Sequence, residues 1–209
     1  MKEGGPKHLE GAPSRMTDEK LLQRAARGDE AAFLALYERH RGAVFRFAYR
    51  VLGSAALAEE ITHDCFLSLV RRPEGFDPSR ASLRTYLYAA ARNLSAKHLR
   101  RHGGEFPVEE LEDEPATAER EGPLRRLLDA ELSEEVRRAV AALPPLQREV
   151  VVLFEYEELS LAETAEVVGA DVGTVKSRLH RARGRLRRAL SFYFKSDGGV
   201  ASAEKKAYR

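Results

Sequence analysis

The apolar residues of this chain recur at intervals of three and four positions, which is the spacing of one face of an α-helix. Strict alternation over five or more residues, the pattern of a half-buried strand, is hard to find. The N-terminal half contains four helical groups: Leu21, Leu22 and Ala25; Phe33, Leu36 and Tyr37; Val44, Phe45, Phe47, Ala48 and Val51; and Ile61, Cys65 and Leu69. The pattern predicts an all-α protein that begins with four helices.

Polar and helix-breaking residues mark where these helices begin and end. Asp29 is a suitable N-cap for the second predicted helix, and the Gly-Ser pair 53–54 separates the third from the fourth. The Pro- and Gly-containing segment 73–78 then ends the fourth helix. Further along, the β-branched run 150–152 follows two prolines, so it lies where the interior of another helix is expected.

The segment 103–122 separates two patterned regions. It carries many acidic residues, two prolines and few large apolar side chains, so it buries too little surface to fold stably. We therefore predict two small helical domains joined by an acidic flexible linker. The predicted parts are a disordered N-terminal extension at 1–16, domains at 17–102 and 130–192, the linker at 103–129, and a flexible tail at 193–209. Met1 and Met16 are both candidates for the start of translation.

Composition narrows the class of protein. With 43% hydrophobic and 33% charged residues, the chain is too polar for a membrane protein. It has no apolar run of about eighteen residues and no signal-peptide core at its N-terminus, so we expect it to be cytoplasmic. Its single cysteine, Cys65, excludes an intramolecular disulfide and a thiolate zinc site, so we predict no metal or cofactor and place Cys65 in the core.

The net charge of +2 conceals a polarised chain, because Lys and Arg collect at 71–101 and 176–188 with acidic residues between them. The second basic stretch lies in a predicted helix-turn-helix. Ser160 and Glu163 form a capping box for its first helix, and Gly169 suits the left-handed residue that ends that helix. The spacing of the two helices is that of a DNA-binding helix-turn-helix.

The second helix of this motif has one apolar and one basic face. The apolar stripe contains Val175, Leu179, Ala182, Leu186 and Leu190. The opposite side contains Ser177, His180, Arg181, Gly184 and Arg188, flanked by Lys176 and Arg178. A merely solvated basic surface is the alternative. The near absence of balancing acids, the short polar residues near the helix start and the length of the preceding helix favour DNA binding.

The segment 143–190, LPPLQREVVVLFEYEELSLAETAEVVGADVGTVKSRLHRARGRLRRAL, resembles the promoter-binding domain of bacterial RNA polymerase sigma factors of the extracytoplasmic-function (ECF) group. The resemblance implies that the helix entered at GTVKSRLHRAR reads the minus-thirty-five promoter element. The residues at the DNA-contacting positions are Lys176, Ser177, Arg178, His180 and Arg181.

A second block, 28–72 with 76–101, resembles the N-terminal domain of the same family, so the likeness covers 18–102 and 130–192. It implies that the helix AEEITHDCFLSLV docks on the coiled coil of the largest polymerase subunit. The residues at the docking positions are Glu60, His63, Asp64 and Phe66. The spacing of the first three puts them on one exposed side, opposite the apolar side. Relatives often carry Gln where this chain has His63, and a catalytic or metal site at 63–65 is the weaker alternative to plain helix surface.

The helix LRTYLYAAARNLSAKHLRR combines basic and aromatic residues, which suits unpaired DNA because rings stack on bases and cations neutralise phosphates. Its pattern predicts a buried stripe of Leu83, Leu87, Ala90 and Leu94. It predicts an outer side of Arg84, Tyr88, Arg92, Lys97, Arg100 and Arg101, with Tyr86 beside the stripe. The resemblance implies that this helix and the loop 73–82 capture a flipped base of the minus-ten element. The implied contacts are Arg84, Tyr86, Tyr88, Arg92, Asn93 and Lys97; relatives usually have Trp at Tyr86.

The residues and the resemblance together predict a non-enzymatic sigma factor that directs promoter recognition and transcription initiation, in a stress or envelope-response regulon. The implied partners are core RNA polymerase, through its largest-subunit coiled coil and its flap, promoter DNA in duplex and single-stranded form, and an anti-sigma factor. The acidic linker either follows the RNA-exit path or masks the basic helices.

Two other classes of protein remain as alternatives. A dimeric helix-turn-helix regulator would not need the basic-aromatic helix or the acidic patch. A hydrolase using His63 or His40 would need converging polar groups, but no Gly-rich loop, metal-ligand spacing or nucleophile motif is visible in the sequence.

Overall fold

The computed structural model describes residues 16–101, 123–191 and 193. Every regular element in these ranges is helical, so the predicted all-α class is confirmed there. The helices are α1 (Asp18–Ala25), α2 (Glu30–Leu52), α3 (Ala55–Arg71), α4 (Leu83–Arg101), α5 (Pro123–Ala141), α6 (Pro145–Val151), α7 (Leu161–Val168) and α8 (Val172–Ala189), and a short 3-10 helix at Pro73–Gly75 follows α3. The predicted N-terminal extension up to residue 15, the linker residues 103–122 and the tail from 194 lie outside the described residues.

The first compact unit contains α1 to α4, and α2 is its centre, since it packs against α1, α3 and α4. The core is formed by large side chains that are almost completely buried. They are Leu21, Leu36, Phe47, Ile61, Phe66, Leu69, Leu83, Leu87 and Tyr88. The ring of Phe47 on α2 meets the ring of Tyr88 on α4 edge to face, with 5.5 Å between their centroids. This contact fixes which side of α4 faces the core.

A single helix of 23 residues replaces the second and third helices that the pattern predicted. It passes through Gly42 without a break, although a glycine inside a helix costs about 0.5–1 kcal/mol relative to alanine. Leu36 and His40 before the glycine and Val44 and Phe47 after it are buried on the same side of α2. The packing of this continuous side outweighs the local cost, so the prediction of two separate helices was wrong.

The predicted N-cap of α2 and the predicted boundary at residues 53–54 are confirmed. Asp29 accepts a hydrogen bond from the backbone N–H of Ala32 at 3.0 Å, and Arg24 donates to the same carboxylate at 2.7 Å. The Ala32 hydrogen bond, and after it the Arg24 hydrogen bond, hold the pKa of Asp29 below its usual value. At the other end, Gly53 is left-handed with φ +74°, and Ser54 is the N-cap of α3.

His40 links the first two helices and is 8% exposed. Its Nε2 lies 2.8 Å from Asp18 Oδ2, and Arg39 contacts the other oxygen of the same carboxylate at 2.5 Å. The pair thus ties α1 to α2 inside the unit. This packing role accounts for His40 without the hydrolase alternative.

The second compact unit contains α5, α6, α8 and most of α7. Helix α5 begins at Pro123, so it includes residues that were predicted to belong to the linker, which we expected to end at 129. Helix α6 continues into a π-helical turn at Val152–Tyr156. Partly buried Arg148 donates hydrogen bonds to the carbonyls of Ala141 and Leu143, next to the end of α5, and burial lowers its pKa. This arginine joins α6 to α5.

The apolar side of α8 faces α6 within the second unit. Residues from both helices and the π-helical turn form its core. They are Val150, Val151, Val152, Leu153, Val175, Leu179 and Ala182. The described residues include no helix with both the length and the apolar character needed to cross a membrane.

Candidate functional site

Both ends of α7 have the geometry that the sequence predicted. The Ser160 N–H donates to Glu163 Oε2 at 2.9 Å, and the Glu163 N–H donates to Ser160 Oγ at 3.2 Å, which completes the capping box. Gly169 has φ +62°, a left-handed conformation that a residue with a Cβ rarely adopts. The start and the end of α7 are therefore those predicted for the first helix of the motif.

Asp171 caps α8 with both of its carboxylate oxygens. Oδ1 accepts the Thr174 N–H at 2.8 Å, and Oδ2 accepts the Thr174 hydroxyl at 2.7 Å. These two hydrogen bonds, the hydroxyl one first, hold the pKa of Asp171 below its usual value. A methyl group on Gly173 would lie 2.9 Å from Oδ1, so a side chain at this position would displace the capping oxygen. The first turn of α8 is therefore held firmly.

The two faces of α8 are those predicted for a DNA-reading helix. Val175, Leu179 and Ala182 are at most 3% exposed. The opposite side is open, and its predicted DNA-contacting members are exposed: Lys176, Ser177, His180 and Arg181. Arg178, the fifth predicted contact, is only partly exposed. The structure thus brings four of the five residues together on one surface near the start of the helix.

Arg181 is held by Ser177, one turn earlier on the same face. Its Nε donates to the Ser177 carbonyl at 3.2 Å and its Nη2 to the Ser177 hydroxyl at 3.1 Å. The Ser177 hydroxyl in turn donates to the Thr174 carbonyl at 2.9 Å. Sequence reasoning placed Ser177 and Arg181 on one face but missed this connection, although their separation of four positions is the signal for it.

Arg183 is held away from the open face of α8. Its guanidinium pairs with Glu155 of the π-helical turn at 2.7 Å, and it lies 5.8 Å from the centre of the Phe154 ring. The sequence did not predict this pair because 28 positions separate its members. The contact fastens the middle of α8 to the turn after α6.

Helix α3 presents an acidic side opposite its buried side. Glu60, His63 and Asp64 are exposed, whereas Ile61 and Cys65 are at most 1% exposed. Burial, with a smaller effect from the charge of Asp64, raises the pKa of the Cys65 thiol to about 12. Cys65 is therefore an inert core thiol, as predicted, and the structure gives no support to nucleophilic chemistry at 63–65.

Phe66 does not share the surface of these three residues. It is 1% exposed, and its ring meets that of Tyr37 edge to face, with centroids 4.9 Å apart. The interpretation of Phe66 as a surface contact is therefore wrong, because the side chain fills the space between α2 and α3. It supports the helix whose opposite side carries the acidic residues.

A groove of about 650 Å³ runs beside this acidic side, between α2 and α3. Its walls combine aromatic, acidic and basic side chains. They are Tyr37, Arg41, Phe45, Glu59, Glu60 and His63, with Gly42 and Thr62. The α2 wall was not predicted from the sequence, although half-buried Tyr37 and Phe45 recur at helical spacing there. The surface around Glu60 therefore extends onto α2.

The buried side of α4 differs from the predicted one. Tyr88, expected on the outer side, is completely buried, whereas Tyr86 is partly exposed. Ala91 and Ser95 are also buried, whereas Ala90 and Leu94 are only partly so. Leu83 and Leu87 are buried as predicted, but from residue 88 onward the buried side shifts by one position to Tyr88, Ala91 and Ser95, because Tyr88 packs on Phe47. Tyr88 is a core residue, so the prediction that it lies on the outer side is wrong.

Tyr86 lies beside the loop after α3. Its ring meets that of buried Phe76 edge to face at 5.6 Å, and burial raises the pKa of its hydroxyl. In the same loop, Asp77 accepts hydrogen bonds from the hydroxyl and the N–H of Ser79, which lower its pKa. Tyr86 is thus the half-exposed ring at the junction of this loop and α4.

The other predicted α4 residues form a polar outer side. Arg84, Asn93 and Lys97 are exposed, and Arg92 is partly exposed. Arg84 is oriented by Tyr88, because its Nε donates to the tyrosine oxygen at 3.3 Å. The buried Tyr88 therefore supports the exposed basic side chain next to it. In the two described ranges, no three His, Cys, Asp or Glu side chains lie close enough together to hold a metal ion.

Comparison with known proteins assigns both units to one family. Residues 36–105 match the model of Sigma-70 region 2, and residues 133–186 match that of Sigma-70, region 4. The chain is 31% identical over 183 residues to the ECF RNA polymerase sigma factor SigW of Bacillus subtilis, which covers 84% of this chain and 97% of SigW. It is 35% identical to the ECF sigma factor BldN of Streptomyces coelicolor over 82% of this chain and 65% of BldN.

A solved structure has the same fold. The structure of CnrH in complex with the cytosolic domain of CnrY has a TM-score of 0.57 and 26% identity, covering 86% of this chain and 98% of that one. The two matched regions occur in the order of the two units described above, and the helix-turn-helix lies in the second. The chain therefore belongs to the ECF group of RNA polymerase sigma factors, which bind core RNA polymerase, recognise promoter DNA and initiate transcription rather than acting as enzymes.

Proposed function

We propose that α8 enters the major groove of the minus-thirty-five promoter element with its N-terminal turns leading. The observation that carries this proposal is the open polar face at Lys176, Ser177, His180 and Arg181, opposite a stripe that is at most 3% exposed. A recognition helix contacts base edges through the residues near its N-terminus. The firmly capped first turn at Asp171 supports this role.

Arg181→Ala tests this role against Arg187→Ala, a change to an exposed arginine farther along the helix. A bidentate arginine contact to guanine discriminates between base pairs by about 1–3 kcal/mol. A lost phosphate contact weakens binding to all sequences alike and lowers the salt slope by about one. We therefore expect Arg181→Ala to change the sequence preference and Arg187→Ala to change mainly the general affinity.

The measurement is binding of holoenzyme, formed from the full chain and core RNA polymerase, to duplexes with a randomised minus-thirty-five region at two salt concentrations. Melting curves of the variants control for folding. An unchanged preference in Arg181→Ala would leave only a solvated basic face and contradict base reading by this residue.

We infer that the acidic side of α3, with Glu60, His63 and Asp64, docks on the coiled coil of the largest polymerase subunit. The three side chains are exposed, whereas Ile61, Thr62 and Cys65 between and beside them are buried. The groove between α2 and α3 adds Tyr37 and Phe45 to the same surface. An interface with complementary charge tolerates charge reversal poorly, because like charges facing each other are costly.

Glu60→Arg combined with Asp64→Arg should weaken retention on core polymerase by about tenfold or more, since both changes place positive charge where negative charge is expected. Glu19→Arg with Glu30→Arg is the matched control, because these exposed residues give the same change in net charge outside α3. Pull-down at equal concentration and melting curves supply the measurements. Equal retention of both double variants would remove α3 from the docking surface.

The outer side of α4 and the adjoining loop are assigned to the minus-ten element. Partly exposed Tyr86 provides an aromatic face, and Asn93 with Arg84 and Lys97 provides hydrogen-bond donors and positive charge. This combination suits an unpaired strand, because base stacking and phosphate neutralisation act together. Tyr86, which the pattern placed beside the buried stripe, takes the stacking role that the pattern favoured for Tyr88.

The resemblance to ECF sigma factors supports a cytoplasmic location and a regulon for stress or envelope responses. The same resemblance implies an anti-sigma factor and the polymerase flap as further partners of this chain. The complex of the related CnrH with the cytosolic domain of CnrY supports a regulatory protein partner. Expression profiling after overproduction of this chain tests the regulon. Affinity capture of the chain from the native cell tests its protein partners. Recovery of the chain in the membrane fraction without any partner would contradict the cytoplasmic location.

A further inference from the structure

We propose that Ser177 is a positioning residue for Arg181. On this view the Ser177 side chain contributes to promoter selectivity by holding the arginine in place and not by its own contact with a base. The inference rests on the proposed function of α8, since it concerns how that helix presents one reading side chain.

The N-cap of α8 and Ser177 are connected by hydrogen bonds. Asp171 accepts the hydroxyl of Thr174 at 2.7 Å and its N–H at 2.8 Å. The Ser177 hydroxyl donates to the carbonyl of Thr174 at 2.9 Å. A hydroxyl has a single proton, so this bond leaves only the lone pairs of Ser177 Oγ for other partners.

Arg181 uses those lone pairs. Its Nη2 donates to Ser177 Oγ at 3.1 Å, and its Nε donates to the Ser177 carbonyl at 3.2 Å. One edge of the guanidinium, formed by Nε and Nη2, is thus occupied by a single residue of the same helix. The fixed donor fork of arginine makes this a two-point attachment that restrains both the position and the plane of the group.

The second edge of the guanidinium is left for DNA. Of the five N–H groups of arginine, two are used by Ser177, and the edge formed by Nη1 and the other Nη2 hydrogen retains two parallel donors. Two parallel donors match the N7 and O6 acceptors of guanine in the major groove. Ser177 therefore occupies the edge that is not needed for reading and restrains the edge that is.

Restraint of an exposed arginine lowers the cost of binding, because less rotamer freedom is lost when the side chain meets its base. The benefit applies to the pairing that the restrained geometry fits and not to the other base pairs. Loss of the Ser177 hydroxyl should consequently reduce discrimination at the position that Arg181 reads.

The test is a double-mutant cycle with Ser177→Ala, Arg181→Ala and the combined variant, measured as holoenzyme on duplexes with a randomised minus-thirty-five region. Ser177→Ala should reduce discrimination at the Arg181 position by about three- to tenfold, the factor expected from freeing one long side chain. It should have no further effect on that position when Arg181 is already alanine. Ser177→Thr, which keeps a hydroxyl able to bond the preceding carbonyl, should restore most of the discrimination.

Each other result counts against a specific claim. If Ser177→Ala has the same effect with and without Arg181, or if it has none while Arg181→Ala has a large one, Ser177 does not act through Arg181 and the inference is overturned. If Ser177→Thr behaves like alanine, the hydroxyl is not the active feature. If Arg181→Ala leaves the preference unchanged, base reading by α8 at this residue fails instead, and the inference fails with it.

Discussion

The two basic helices, α4 in the first unit and α8 in the second, show how differently two similar patterns constrain a structure. In α8 the apolar residues stand singly among polar ones, so only one stripe fits, and Val175, Leu179 and Ala182 are buried as the pattern predicts. In α4 the six residues 86–91 are all apolar or aromatic and extend around the whole helix. Several stripes fit that run, and the predicted one agrees with the observed one at Leu83 and Leu87 but departs from it by one position beyond residue 87.

The difference also changes what the basic residues do. On α8 the open face is crossed by hydrogen bonds within the helix, which join Ser177 to Arg181. On α4 a buried ring supports an exposed cation. The guanidinium of Arg84 donates a hydrogen bond to the Tyr88 hydroxyl and lies over the face of the Tyr88 ring, with its Cζ 5.4 Å from the ring centre. A basic helix can therefore be organised from its own surface or from the core beneath it.

The largest effect that would test the comparison is expected for Tyr88→Ala. Replacing a completely buried aromatic ring by alanine costs about 3–5 kcal/mol in the free energy of unfolding, because it removes apolar burial and leaves a cavity next to Phe47. Tyr86→Ala is the matched control on the same helix, and its partly exposed ring should cost clearly less. The measurement is urea unfolding of the full chain. Equal losses in the free energy of unfolding for the two variants would contradict the burial of Tyr88 and favour the stripe that the sequence predicted.

A second prediction separates the role of α4 in strand opening from its role in the fold. Tyr86→Ala with Asn93→Ala should reduce transcription from a closed duplex by about tenfold, because stacking contributes about 1–3 kcal/mol per base. Transcription from a template with a pre-opened minus-ten region should be affected much less. The assay is abortive transcription by holoenzyme on both templates.

Lys97→Ala is the companion variant for that assay, because loss of a phosphate contact should affect both templates alike. If the Tyr86 and Asn93 double variant is equally impaired on the two templates, these residues do not act in melting, and α4 would resemble α8 in contributing only to binding.

The smallest effect is expected for the ion pair that fastens α8. Glu155 and Arg183 are each 42% exposed, and such pairs contribute about 0–1 kcal/mol, with less at high salt. Glu155→Gln should therefore change the free energy of unfolding by at most about 1 kcal/mol. Urea unfolding at low and high salt supplies the measurement. A larger loss that persists in high salt would mean that α8 depends on this contact rather than on its apolar stripe.

Much of the candidate site follows from local patterns. The caps at Asp29 and at Ser160 with Glu163, the left-handed Gly169 and the exposed side at Glu60 and Asp64 need only short-range rules, and the structure agrees with each. The family resemblance added the order of the two domains. These features are predictable because each depends on residues within one or two helical turns.

The remaining features depend on contacts between distant parts of the chain. Three features are of this kind, because each involves residues on different helices or on distant turns of one helix. They are the continuity of α2 through Gly42, the burial of Phe66 against Tyr37 and the ion pair of Glu155 with Arg183. No local rule contains that information. Tertiary packing decided them, because a residue in an ambiguous run is buried where a partner surface exists.

The sequence by itself determined the helical class, the helix-turn-helix, and which side of α8 is open, since a stripe of isolated apolar residues among charged ones has a single arrangement that keeps charge in water. Only the tertiary structure decided which tyrosine of α4 is available to DNA. Tyr86 and Tyr88 are two positions apart in the same apolar run. Tyr88 is the buried one because its ring packs against Phe47 on another helix.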